Sequence, residues 1–380
     1  MTPPLATWLP TSVRSEFEPM NAFRVLEWFA AGFVLMWGIW AGITRRKTAL
    51  IILWSLIVSG STMGLVAILQ DLTDADKVLW TLKSANPFPW GSFFYRNQGA
   101  AYLNLILVGI GVMYFYHAKK AERSAQSGGP HFLLFMFFML VVVSIGLALS
   151  RGGILFGGIL AICFAAVAIL RGLVSSHRLG SSLSISLIVA ALLSAGAYLM
   201  IQQIDIGAIK TRFGDVGSTI ENADKDARTL SSKATYEMAQ DRVMLGWGAG
   251  SFRYVFPIYQ QKIPEIFHQY YHKKKGWIGR RVYHYAHNDI LQFWAEYGAI
   301  GCGLLILTFS SLIFPVLKNT FHFPLSTLYL MLGIACVLAH AFIEFILNSP
   351  AYWVALVGLL GGIAKLFELE SARQKRHTAT

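Results

Sequence analysis

Charge is scarce in this sequence: only 14% of its 380 residues are Asp, Glu, Lys or Arg, where a soluble domain carries roughly a quarter. Acidic side chains are the scarcer kind, 20 against 32 Lys and Arg. Cysteine is nearly absent. Cys163, Cys302 and Cys336 each fall inside an apolar run, which excludes a disulfide framework or zinc spacing and leaves small core residues. No heptads, repeats or low-complexity tracts occur. The first 20 residues lack a basic start followed by an apolar core, so no cleavable leader is expected.

What is present is apolar: 55% hydrophobic residues and a mean hydropathy of +0.52. The chain reads as an integral membrane protein. Crossing about 30 Å of hydrocarbon takes roughly 20 apolar residues, and lipid leaves backbone groups no partner outside a helix or a closed barrel. Nine runs qualify: 23–44, 49–70, 99–117, 131–149, 153–172, 181–203, 288–316, 325–346 and 351–368. The expected fold is an all-α polytopic membrane helix bundle of about nine spans. Six spans (1–203) precede a basic loop domain (204–287), and three spans with a tail (288–380) follow it.

The short connections differ in charge. The set "TRRK" (44–47), 117–131, 171–180, 318–323 and the C-terminal tail holds 12 Lys and Arg. The positive-inside rule places this set in the cytoplasm and the N-terminus outside. The long loop 204–287 has 13 Lys and Arg, but long loops translocate regardless of charge. Span parity then puts it on the outer face. A basic surface there suits an anionic partner or is simply solvated; nucleic acid is not expected on that side.

The unusual residues converge on the same face. Arg151 interrupts "IGLALSRGGILFGGIL" (145–160), although a charge at membrane depth costs about 2.5–3.5 kcal/mol. Arg96 sits at the outer end of span 3, and Arg212 and Arg228 lie in the outer loop. His287 opens span 7, where Asp289, Gln292 and Glu296 follow at helical spacing. His340, Glu344 and Asn348, each four apart, would form a second stripe in span 8. Polar groups within spans usually face a bundle interior or a water-filled cavity, so one shared cavity is expected. Singly, each has a plainer reading. Arg151 could snorkel to the headgroups, His340 and Glu344 could be a satisfied pair, and His287 could merely start a helix. "GWGAG" (246–250) lacks the strand–turn–helix context of a dinucleotide loop, and "HAFIE" lacks a third metal ligand.

Five blocks in order resemble the O-antigen ligase / O-antigen polymerase superfamily of bacterial membrane glycosyltransferases. These are "GSFFYRNQGAAYL" (91–103), "LSRGG" (149–153), "RTLSSKATYEMAQDRVMLGWGAGSF" (228–252), "HNDILQFWAEYGAIG" (287–301) and "HAFIEFILNSPA" (340–351). The resemblance covers about residues 90–365. Two departures stand out: members commonly carry ten to twelve spans or more, and residues 261–285 match no motif of the family. In the last block Glu344 stands where Asp is commoner.

The resemblance implies transfer of a glycan from a polyprenyl-pyrophosphate donor to an acceptor hydroxyl at the outer face of the bacterial inner membrane. It implies a glycan or lipid-core acceptor, no cofactor, no nucleotide sugar and no metal. Arg151, Arg228 and either Arg96 or Arg212 would hold the pyrophosphate, since guanidinium offers a fixed fork of donors at any relevant pH. His287 would be the general base. Gln292, His340 and Glu344 would bind or orient substrate. Ligase, repeat-unit polymerase and attachment of glycan to protein share these motifs. A transporter or flippase would more typically show repeats with midplane sites. A non-catalytic export partner would tolerate loss of His287 and Arg151.

Overall fold

The computed structural model describes residues 22–84, 86, 88–123, 129–174 and 226–378. The expected span 181–203, the loop start 204–225 and Arg212 lie outside the described residues. Seven described helices are long and apolar enough to cross a membrane. They are α1 (Ala22–Gly42), α2 (Arg46–Leu72), α3 (Arg96–Arg123), α5 (Arg151–Val174), α9 (Asp289–Lys318), α10 (Pro324–Ala341) and α11 (Pro350–Thr378). Helix α4 (His131–Leu147) is apolar but shorter, at 17 residues. All eight fall where hydropathy places spans. Between α5 and α9 lie α6 (Ala227–Gln240), α7 (Phe252–Gln260), the single turn α8 (Pro264–Phe267) and a hairpin, Tyr270–His272 with Gly276–Ile278. A smaller hairpin, Lys77–Val78 with Leu82–Lys83, precedes α3.

The chain forms two compact units. One comprises Ile39–Gly214, Phe314–His340 and Ala355–Thr380. Helix α3 is its axis, with α2, α4 and α5 packed around it and most of its side chains buried. Two side chains of α10 hydrogen-bond across to neighbouring helices: Ser326 donates to the Val112 carbonyl (3.1 Å) and Tyr329 to that of Leu160 (3.1 Å). At the α4–α5 turn Ser150 caps α5. Its hydroxyl accepts from Gly153 N–H (3.2 Å) and its carbonyl from Ile154 N–H (2.8 Å), as helix N-termini require. Leu149 turns the chain with φ 49°.

The other unit comprises Met1–Gly38, Asp215–Ile313 and Ala341–Val354. The described part of the expected basic loop folds on its own core. Ala234, Met238, Phe252, Val255, Phe256, Tyr259 and Ile266 are buried together with Ala286 and Ala295. The amphipathic spacing of α6 and α7 brings these side chains to one face each.

Helix α9 is interrupted at Gly298 (φ 63°, ψ −175°). Two of its ladder bonds are exchanged with residues 243–248. The carbonyls of Ala295 and Glu296 accept from Trp247 N–H (2.9 Å) and Gly248 N–H (2.9 Å). The amides of Ala299 and Ile300 donate instead to Val243 (2.7 Å) and Met244 (3.1 Å). In an unbroken helix those four groups would bond to one another. Glycine is required where the chains meet: a Cβ on Gly298 would lie 2.3 Å from the Met244 carbonyl, and one on Gly246 (φ +67°) 2.4 Å from that of Glu296.

Candidate functional site

The site grows from the N-terminus of α9. Asn288 caps that helix, its side-chain oxygen accepting from Leu291 N–H (3.1 Å). The preceding residue, His287, is held at φ 55°, a left-handed conformation uncommon for any side chain but glycine. Such strain persists only where surroundings over-determine it. Here Gln292 accepts from Ala286 N–H (3.0 Å), and Phe345 meets the imidazole edge-on at 4.7 Å between ring centroids. Tyr285 stacks on the same Phe345 (4.6 Å, 8° between planes), and burial raises its phenol above the ordinary value. Tyr285 and Phe345 carried no signal in the sequence beyond their place in or beside the family-like blocks.

The His287 imidazole faces Glu344, with Nδ1 3.4 Å from Oε2. The other carboxylate oxygen of Glu344 receives Arg228 at 2.6 Å, and a second Arg228 nitrogen donates to the Ile343 carbonyl (3.3 Å). Glu344 is 3% exposed, whereas the Arg228 side chain is 48% and that of His287 28% exposed. A buried carboxylate thus presents an imidazole and a guanidinium side by side to an open surface. Arg228 owes its place to Asp226, the N-cap of α6, whose carboxylate accepts from the amides of Arg228 (2.9 Å) and Thr229 (3.2 Å). An Asp just before the helix is a readable sequence signal.

The two expected stripes fare differently. Asp289, Gln292 and Glu296 do share one face of α9, and all are buried. Each is engaged by the protein rather than open to a cavity. Asp289 accepts from Leu347 N–H and from the Asn348 amide, both at 2.7 Å. Gln292 donates to Glu296 (3.3 Å), whose carboxylate also accepts from Gly250 N–H (3.1 Å) and Phe252 N–H (3.2 Å). The stripe therefore clamps the glycine turn and the 347–348 turn onto α9. Gln292 itself fixes the backbone immediately before His287.

The second stripe is not helical: the span expected over 325–346 is present, but its C-terminal end is corrected here. Helix α10 ends at Ala341, so Glu344 and Asn348 lie in a bent connection running to Pro350. The cause is tertiary. Asp289 takes up the Leu347 amide and Trp353 Nε1 takes up the Leu347 carbonyl, removing both from any helical ladder. His340, in the last turn of α10, belongs to the other unit. There its ring packs on the Arg151 segment, 5.1 Å from the Phe156 ring and against Gly152, where a Cβ would meet Nε2 at 2.5 Å. Arg151 is exposed at the first turn of α5. Arg96, at the first turn of α3, lies over the Phe88 ring at 4.2 Å. The structure thus gathers His287, Glu344 and Arg228 in one unit, and Arg151 with His340 in the other.

The O-antigen ligase family model (Wzy_C) matches residues 134–306. This segment includes Arg151, Arg228, His287 and Gln292; Arg96, His340 and Glu344 fall outside it. No curated protein matches the sequence. Several apolar helices and this matched segment together identify a multi-pass membrane protein that carries a domain of the O-antigen ligase/polymerase superfamily.

Proposed function

We propose that the protein transfers a glycan from a polyprenyl-pyrophosphate donor to an acceptor hydroxyl at the outer face of the inner membrane, in the manner of an O-antigen ligase. The reading is supported above all by Glu344, whose buried carboxylate sets a candidate base, His287, beside a candidate anion ligand, Arg228. Facing Glu344, Nδ1 carries the imidazole proton, which leaves the Nε2 lone pair for the incoming hydroxyl. The hydroxyl oxygen bonds to the anomeric carbon as its proton passes to Nε2. The bond from that carbon to the pyrophosphate oxygen breaks, and its electrons leave with the polyprenyl pyrophosphate. A single displacement of this kind inverts the anomeric configuration.

The departing charge needs donors fixed in advance. Arg228 keeps guanidinium N–H groups beyond those given to Glu344 and Ile343. Arg151 is proposed as a further pyrophosphate ligand on the strength of its family-like "LSRGG" block; it stands at a helix N-terminus, where backbone amides and the dipole also favour anions. Arg96 and Arg212 are proposed as further substrate contacts. His340 would set the Arg151 turn by packing on Gly152, and Gln292 would set His287. The chemistry as drawn calls on no metal or cofactor.

The test is the lipid-linked glycan pool of a deletion strain, measured by mass spectrometry. Long polymers stranded on the carrier are the expected result. Single repeat units stranded there would move the assignment to a polymerase. An unchanged carrier pool with normally attached glycan would overturn the proposal.

A further inference from the structure

Several apolar side chains of the described loop residues are exposed, but among them Val243, Met244 and Leu245 form the one run of three in a row, at 43%, 58% and 74% exposure. Three large apolar residues in a row on a water-facing turn are a liability unless something covers them. Their position says what does. The carbonyls of Val243 and Met244 are bonded to Ala299 and Ile300, the first residues beyond the α9 kink. From there to Lys318 the helix is apolar and twenty residues long, about 30 Å, so it needs its whole length to cross hydrocarbon. Ala299 and Ile300 must then lie at the hydrocarbon boundary. The tip bonded to them lies at the same level, continuous with the exposed Ile300, Leu304 and Leu307 of α9.

The frame around the tip fits a membrane interface. Trp294 Nε1 donates to the Val243 carbonyl (3.3 Å), and Tyr236 meets the Trp294 ring edge-on at 5.7 Å. Arg242 lies over Trp247 at 4.9 Å. Aromatic rings with a polar handle, and arginines on apolar stems, are the residues that settle at headgroup level. The carbonyls of Val243 and Met244 already have donors, as insertion into lipid demands.

We infer that Val243, Met244 and Leu245 form a fingertip inserted among the acyl chains of the leaflet at the N-terminal end of the 299–318 span. The fingertip anchors the loop unit to the bilayer. Nine helical residues, 289–297, separate the anchor from His287, a rise of about 13 Å, which holds the Glu344 cluster at the level of lipid headgroups. The insertion itself does not depend on glycosyl transfer.

The test uses full-length protein with Cys163, Cys302 and Cys336 replaced by Ala, reconstituted into phosphatidylethanolamine–phosphatidylglycerol vesicles. A nitroxide is attached at Leu245→Cys and, separately, at Met244→Cys. Power-saturation EPR then compares collision with oxygen, which partitions into lipid, and with a water-soluble nickel chelate. Leu304→Cys is the lipid reference and Lys274→Cys, exposed in the hairpin turn, the water reference. Both tip labels are expected to match Leu304→Cys, with oxygen dominating. Nickel dominating, as at Lys274→Cys, would overturn the inference. So would shielding from both reagents, which would mean that protein, a second copy or a partner, covers the tip.

Discussion

Glu344 holds its two oxygens against two different side chains, Arg228 at 2.6 Å and His287 Nδ1 at 3.4 Å. This carboxylate ties the α6 start to the residue that opens α9. If it orients the imidazole, charge and reach both matter. Glu344→Gln should lower kcat about 10- to 100-fold, the usual cost of losing an orienting partner, with KM little changed. Glu344→Asp, the commoner residue in the resembling family, should recover part of that loss. Steady-state transfer kinetics on the two variants separate orientation from a purely structural role, in which Gln would serve as well as Asp.

The arginines are proposed to bind pyrophosphate through paired donors, and lysine cannot supply that geometry. Arg151→Lys and Arg228→Lys should both raise the donor KM, and the Ala variants should raise it further. Equal kinetics for Arg151→Ala and the parent protein would remove Arg151 from the site and return it to headgroup snorkelling.

The kink in α9 predicts a contrast between two glycines of one helix. Gly298→Ala forces a side chain into left-handed backbone and against the Met244 carbonyl, at a cost of about 1–3 kcal/mol or more. A methyl group on Gly303 would meet nothing within 4 Å, and Gly303→Ala should stay within about 0.5 kcal/mol of the parent. Thermal unfolding in detergent reads both.

Asp289 is buried and satisfies two donors from the 347–348 turn. Asp289→Ala leaves the Leu347 amide and the Asn348 side chain without that acceptor. The expected loss is roughly 1–3 kcal/mol. Because this turn directly follows Glu344 and Phe345, transfer should slow as well. A variant that melts early but turns over normally would separate the clamp from the site.

Much of this was legible in the sequence, for identifiable reasons. Hydropathy located the spans because lipid imposes a length and forbids alternatives. The Arg228 block was legible through its likeness to a family motif over 228–252. The stop of α10 at Ala341 was not legible: Phe342, Ile343, Phe345 and Ile346 continue the apolar run, and the acceptor that diverts Leu347 is Asp289, distant in sequence. The α9 kink was hidden for a similar reason. Gly298 permits it, but the donors and acceptors that complete it come from residues 243–248. The helical spacing of His340, Glu344 and Asn348 suggested one stripe, whereas Glu344 serves His287 and His340 packs on the Arg151 turn. Periodicity reports a face only while the helix lasts.

The central claim is that His287 takes the acceptor proton. The most direct measurement is glycan transfer from a purified lipid-linked donor by the reconstituted protein and by His287→Ala, with release of the polyprenyl pyrophosphate followed alongside product. The account predicts a drop on the order of 100-fold or more in the variant, with unchanged membrane insertion and unfolding temperature. A His287→Ala protein that transfers glycan at the parent rate would contradict it.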